Sequence, residues 1–420
     1  MSVPFVDLPA LIRPSKDAYL AAFAKILDTG GFIGGAAVTD FEAQFAAYCG
    51  APHGVSVKTG TDALLLALRA MGIGPGDEVI TAANSFFATG EAIALAGATP
   101  VLADVAHDTL LIDPADVARR ITGKTRAIIP VHLFGQIADM ARIGALAAAN
   151  GLRVLEDSAQ AHGATRLAPD GTTWRAGSIA EAAAFSFYPT KNLGALGEGG
   201  AITTKDAALA DKIKSLRDHG QAGRHDHVDV GYNARLDALQ CACLSISLAR
   251  LDAGNEKRRA LARRYRELIA GHGGVALVAE APGSAPVYHL MVVRVDAAKR
   301  DGIRDRMAKD GVATAIHYPT PIHRQKAFAH LRQEGCPVAE AAVREMISLP
   351  MFPDLTVEQV ERVVESLHRA RSGLAKSLGE DVRVQGTRLC EQYNDAGGYG
   401  FRFRAFSPPE PKSGDNGGGE

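Results

Sequence analysis

VSVKTGTDALLLAL, residues 55–68, begins as an alternating β-branched run and turns at Thr59-Gly60-Thr61 into a helical apolar pattern. A strand that passes straight into a helix is half of a parallel β-α-β unit. Outward from this junction the same change of period repeats between Ser15 and about Gly271. Strands are expected at His53–Val57, Glu78–Thr81, Pro100–Ala103, Arg126–Val131, Leu152–Glu156, Ala182–Phe187 and Gly200–Thr204, about seven in all. Two helix starts carry a visible cause: Thr39 with Glu42 has the spacing of a capping box, and Asp113 is a cap followed by the first-turn proline Pro114.

From about Arg235 to Gly271 a stretch rich in Ala, Leu and Arg reads as one long or broken helix leading out of this domain. Beyond it Tyr288–Val295 and Val312–His317 read as strands, and Asp301–Asp310 and Thr356–Arg371 as helices. The expected architecture is therefore an α/β domain over residues 1–250, a smaller α+β domain over 251–375 and a tail over 376–420. The tail ends in SPPEPKSGDNGGGE, with no apolar residue to offset its ordering entropy, so disorder is expected there. Its aromatic and basic stretch GYGFRFRAF is too short for a nucleic-acid patch.

The chain has 420 residues, 47% apolar and 22% charged, which is enough material for a large core and excludes a small disulfide-stapled scaffold. Its 46 Lys+Arg against 47 Asp+Glu argue against bulk binding to nucleic acid or an anionic membrane. The five cysteines, at 49, 241, 243, 336 and 390, show no metal-ligand spacing. Cys241 and Cys243 sit two apart in a helical stretch, so their side chains diverge by about 200°. No metal is expected, and a reducing, cytoplasmic compartment is. The N-terminus carries Asp7 and three prolines where a signal peptide would need an unbroken apolar stretch, and no run approaches the roughly 18 apolar residues of a membrane span.

Four segments carry chemistry. At the first, Gly60 and Thr61 open a helix whose free N–H groups and dipole suit a phosphate, although a plain N-cap and turn would read the same way. The second, RVLEDSAQAHGA, ends a strand in Glu156 and Asp157, at the carboxyl edge where open α/β sheets bind ligands; a helix cap or surface acid is the alternative. The third, AAAFSFYPTKNLGALGEGGAITT, confines Lys191 between two buried strands, where an ammonium is costly unless neutralised, for instance in a Schiff base, or turned outward to solvent. In the fourth, ITAANSFFAT, two aromatics follow a strand end and face either a ligand or the core. A phosphate cradle, a carboxylate able to keep a pyridine nitrogen protonated, an imine-forming lysine and a stacking ring are what pyridoxal 5′-phosphate (PLP) demands.

With these segments and GPGDEVITAANSFFAT, GATPVLADV, PVHLFGQIADM, GYNARLDALQ and HYPTPIH, the sequence resembles the DegT/DnrJ/EryC1/StrS sugar aminotransferases. The resemblance runs from FVDL near the N-terminus to about Arg371. It implies the aspartate-aminotransferase fold (fold type I), with a mostly parallel seven-stranded sheet in the large domain. It implies Lys191 as the lysine of the internal aldimine and the proton shuttle, and Asp157 as partner of the pyridine nitrogen. Gln160 falls near the ring hydroxyl, Gly60, Thr61 and Ser186 at the phosphate, and Phe86 on the ring face. Asn233 matches a residue that reaches the phosphate in a neighbouring subunit, which implies a homodimer with shared active sites. His317, Tyr318 and His323 match a segment near a sugar-nucleotide substrate.

The implied reaction is a ping-pong transfer from L-glutamate to a nucleoside-diphosphate keto sugar, most similar to members acting on dTDP- or UDP-linked 3-keto sugars. A 4-keto sugar is the runner-up. Members that remove a sugar hydroxyl carry His where Lys191 stands, and a non-catalytic regulatory protein on this fold is the remaining rival. Lys58 and Thr59 depart from the small polar residues usual before the Gly60-Thr61 turn.

Overall fold

The computed structural model describes residues 2–271, 273–331 and 333–373. Seven strands form the central sheet: β1 (His53–Val57), β2 (Glu78–Ala82), β3 (Thr99–Ala103), β4 (Thr125–Ile129), β5 (Arg153–Asp157), β6 (Ala182–Ser186) and β7 (Gly200–Thr204). Their spatial order is β1-β7-β6-β5-β4-β2-β3. Every neighbouring pair is parallel except those made by β7, which runs antiparallel to both β1 and β6. The seven expected strands are all present, within a residue or two at their ends. β7 returns from β6 through the 187–199 connection, which holds no helix of the kind that usually carries the chain across a sheet between parallel neighbours.

Helices cover both faces, and β6 shows the alternation that this requires. Ala182 and Ala184 face a core built with Val55, Leu66, Ile129 and Ile202, whereas Ala183 and Phe185 face Phe41, Phe45 and Cys241. On that second face the Phe45 and Phe185 rings meet edge-on with centroids 4.9 Å apart. Each such ring removed from water contributes roughly 1.5–3 kcal/mol.

A second, antiparallel sheet joins Val275–Leu277, Met291–Val295 and Met346–Leu349, with helices Arg300–Lys309 and Pro337–Glu345 and a helix beginning at residue 357. The 235–271 stretch forms two helices, Ala238–Leu248 and Leu251–Ala270. The expected disorder beyond about residue 376 falls outside the described residues.

Three expectations are corrected. Thr39 and Glu42 make no capping box: the helix Ala36–Cys49 is capped at Gly35, and the Thr39 hydroxyl donates to the Ala36 carbonyl from inside it. Glu42 instead accepts from the Ser56 N–H and hydroxyl and pairs with Arg217, a partner set that lies far along the chain. The 312–317 stretch is not a strand. Val312 bridges Val3 and Ala315 bridges Ser348, so its partners change within four residues and no ladder develops. The strand expected from Tyr288 begins at Met291, because Tyr288 sits at φ +43 and the Val287 carbonyl is taken by Asn192. Asp113 and Pro114 cap and open the helix Pro114–Arg120 as read.

Candidate active site

The carboxyl ends of β1, β2, β5 and β6 converge, as the rule for open α/β sheets requires. Beyond β1, Thr59 caps the helix Gly60–Ala70: its hydroxyl accepts from the Asp62 N–H at 3.0 Å and donates to the Asp62 carboxylate at 2.8 Å. The first-turn N–H groups of Gly60 and Thr61 have no acceptor within the helix. Two glycines bring this N-terminus against the sheet. A Cβ on Gly60 would lie 2.6 Å from the Ser186 Cβ, and one on Gly200 would lie 2.4 Å from the Thr59 carbonyl oxygen. The Ser186 hydroxyl, at the end of β6, thereby borders the same cradle. Lys58 is exposed.

Asp157 ends β5 with only 5% of its surface exposed. Its Oδ2 accepts from the Thr89 hydroxyl at 2.8 Å and its Oδ1 from the Ala159 N–H at 3.2 Å. Burial pushes its carboxyl above the usual range; those two hydrogen bonds and the charges of Lys191 and His132 hold it back. Glu156, its neighbour on the opposite face, is spent on structure: it accepts from the Gly177, Ile179 and Ala180 N–H groups and pairs with His132.

Lys191 stands in the loop between β6 and β7. The loop is pinched: Lys191 N–H donates to the Tyr188 carbonyl, and a Cβ on Gly194 would lie 2.5 Å from the Pro189 oxygen. Asn192 anchors the turn by donating to Asn255 Oδ1 and the Val287 carbonyl, both at 2.9 Å. Burial brings the lysine down to about 8, opposed by the Asp157 carboxylate. Three imidazoles share this environment and are held neutral by burial first and the Lys191 charge second. His162 is brought to about 3, His317 to about 4, and His289 well below its ordinary value.

Gln160 accepts from the Phe134 N–H at 2.6 Å and donates to the Tyr318 hydroxyl at 3.1 Å. The Phe86 ring is 54% exposed, with its centroid 5.1 Å from that of Tyr318. His317 stacks on Phe5 at 5.6 Å and contacts Ser348 Oγ through Nδ1. The structure thus brings Lys191, Asp157, Gln160, Phe86, His317 and Tyr318 into contact or electrostatic reach of one another, with Gly60, Thr61 and Ser186 forming the adjoining cradle. It does not bring His323 into this group: His323 pairs with Glu340 at 2.8 Å on the helix Pro337–Glu345. Asn233 is exposed and accepts from Arg235, on a segment whose Ala234 carbonyl receives the Lys58 N–H.

The profile of the DegT/DnrJ/EryC1/StrS aminotransferase family matches residues 15–368. The chain belongs to this family. It is 43% identical to a dTDP-3-amino-3,4,6-trideoxy-alpha-D-glucose transaminase of Streptomyces venezuelae, over 87% of this chain and 95% of that one. It is 44% identical to a UDP-N-acetyl-3-dehydro-alpha-D-glucosamine 3-aminotransferase of Acidithiobacillus ferrooxidans, over 89% and 99%. The crystal structure of S. venezuelae DesV in complex with a ketimine intermediate superposes with a TM-score of 0.84 at 42% identity, covering 88% of this chain and 98% of that one. One further solved relative holds bound PMP and another is a PLP form. The protein is an aminotransferase of the aspartate-aminotransferase fold with PLP as its cofactor.

Sequence reasoning missed several members of the DegT-family site. Ser85 and Thr89 lie four apart across the helix start that carries Phe86, a spacing that puts two hydroxyls on one face. Phe5 and Asn192 belong to quoted motifs without an assigned role. His289 carries no local signal, because its place beside Asn192 depends on contacts about a hundred residues apart.

Proposed function

We propose that this aminotransferase moves an amino group from L-glutamate to the 3-keto carbon of a dTDP- or UDP-linked sugar, in the cytoplasm and as a homodimer. The observation that carries the chemistry is the buried Lys191 and Asp157 placed within each other's electrostatic reach at the strand ends. The position aminated is supported by the two relatives named above, both of which act at C3 by name and match almost end to end. The dimer is supported by exposed apolar side chains on the helix Lys16–Thr29 and just after it, Leu20, Leu27, Phe32 and Ile33, with Val228 and Val230 beside the exposed Asn233. The buried free cysteines 49, 241, 243 and 336 fit a reducing compartment. Among the described residues no helix is long and apolar enough to cross a membrane.

The residues fit the cofactor. The Gly60 and Thr61 N–H groups and the Ser186 hydroxyl would take its phosphate, Asp157 its ring nitrogen, Gln160 its ring hydroxyl and Phe86 its ring face, with Lys191 at the aldehyde carbon. When bound, PLP supplies an electron-poor ring that stabilises negative charge at the carbon losing its proton. Lys191 removes and returns that proton, a task suited to an amine titrating near neutral pH. Asp157 keeps the ring nitrogen charged, and Tyr318, His317 and Phe5 pack ring against ring beside these groups.

Because Lys191 titrates at about 8, roughly a tenth of it is neutral at pH 7, against about 0.03% for an ordinary lysine. Reconstitution of apoprotein with PLP needs the neutral amine. Its rate, followed by visible absorbance, should rise with pH through a midpoint near 8 and level off above it; a rate still climbing at pH 10 contradicts the assignment.

The substrate is tested by incubating the enzyme with L-glutamate and a panel of dTDP- and UDP-linked 3-keto and 4-keto sugars, with mass and NMR analysis of products. Amination confined to 4-keto sugars overturns the position, and no product with any sugar, in a protein that leaves its cofactor unchanged on glutamate addition, overturns the reading.

A further inference from the structure

Asp157 is held by hydroxyls that the family's chemistry, as derived above, does not use. Ser85, Thr89 and Asp157 are 3%, 1% and 5% exposed. The Thr89 hydroxyl donates to Asp157 Oδ2 at 2.8 Å, and the Ser85 and Thr89 hydroxyl oxygens are 2.7 Å apart. An ionised carboxylate only accepts, so the single Thr89 proton goes to Asp157 and the Ser85 proton must point at Thr89. The chain of donors has one polarity, running from Ser85 through Thr89 to the carboxylate. Both hydroxyls come from the helix start that also presents Phe86, so one turn following β2 places a ring wall and fixes a carboxylate on β5.

We propose that Thr89, backed by Ser85, is a positioning residue that keeps the proton shared between Asp157 and the cofactor's ring nitrogen on the nitrogen. The proton shared by a carboxylate and a pyridine has two resting places. A hydroxyl donating to the carboxylate stabilises the ionised form and so favours the ring-protonated arrangement; without it the carboxylate is the better base and draws the proton to itself. The remaining groups that act on Asp157 do not substitute for this donor. The Ala159 N–H occupies the other oxygen, and Lys191 and His132 act through charge from separate segments. The Thr89 methyl and backbone stay in a well-packed helix turn, so an isosteric valine removes the donor and leaves the shape.

The inference rests on PLP being bound as described, and wild-type enzyme reconstituted with PLP labelled at the ring nitrogen with 15N checks that first, by its absorbance and its nitrogen chemical shift. In Thr89→Val the bound nitrogen should move toward the unprotonated shift at neutral pH, with kcat down about tenfold and KM for both substrates within about twofold, the size of one lost charge-assisted hydrogen bond. Thr89→Ser should restore both readouts. Ser85→Ala should shift the nitrogen in the same direction by less. A wild-type nitrogen shift in Thr89→Val overturns the proposal. If Thr89→Val does not fold, Ser85→Ala decides: a nitrogen indistinguishable from wild type there overturns it equally.

Discussion

Lys191→Ala should lower kcat by about 10⁴-fold or more, because one side chain supplies both the covalent tether and the base. Loss of fold does not explain such a result, and the electrostatics say why. Burial depresses the lysine, so its charged form is a cost that the folded state bears in full below about 8 and that fades as pH rises from there toward the ordinary lysine value. Alanine carries no such cost, and apoprotein of the variant should unfold at neutral pH no more readily than wild type. Lys191→Arg separates charge from chemistry. A guanidinium keeps the positive charge near Asp157 but neither deprotonates nor forms an imine, so it should be as inactive as alanine. A small primary amine added to Lys191→Ala should return part of the proton-transfer rate. Turnover within tenfold of wild type in either variant, measured with the sugar substrate identified by the panel, would remove Lys191 from the mechanism.

Lys191 and Asp157 were legible in the sequence because each is chemically costly where the strand pattern puts it: an ammonium in a tight return loop and a carboxylate at the buried end of an apolar strand. The sheet was legible for a related reason. Buried parallel strands are short apolar runs with glycine and proline punctuation, and Val55–Val57 or Ala182–Phe187 need no partner to be recognised. Strand direction is different. Nothing in GAITT says that β7 runs against β6; only the lack of a helical crossover before it points that way. The failures share one cause. Glu42 has capping-box spacing, yet Arg217 and Ser56 claim it from 175 and 14 residues away. Thr89 looks like any small residue in a helix start until Asp157, 68 residues on, is seen to lean on it. Hydroxyls are cheap to bury and so announce nothing, and their role is set entirely by what the fold brings to them.

Asp157→Asn should change catalysis and stability in opposite directions. The amide keeps the shape: its oxygen can still accept from the Ala159 N–H, and its NH2 can donate to Thr89, whose own proton then turns to Ser85. What disappears is the negative charge that holds the ring nitrogen protonated. Removing one electrostatic stabiliser of the reacting charge costs about 10²–10³ in rate, and kcat should fall by that order while the cofactor remains bound through its phosphate and Lys191. The apoprotein should respond differently. Burial raises the Asp157 carboxyl, so this group favours the folded state fully only below its unfolded value, and that contribution is lost as pH rises through the folded one. Above its unfolded value the group is a net cost in whichever form the folded state holds it, and the amide should stabilise apoprotein by on the order of 1 kcal/mol, a Tm rise of about 2 °C. With PLP bound the sign reverses, because the carboxylate then has a cationic partner. Thermal unfolding of both proteins with and without PLP measures the difference directly: if the variant is more stable without cofactor and gains less from adding it, Asp157 is tuned for a positive ring, and equal gains would mean that the carboxylate does not meet one.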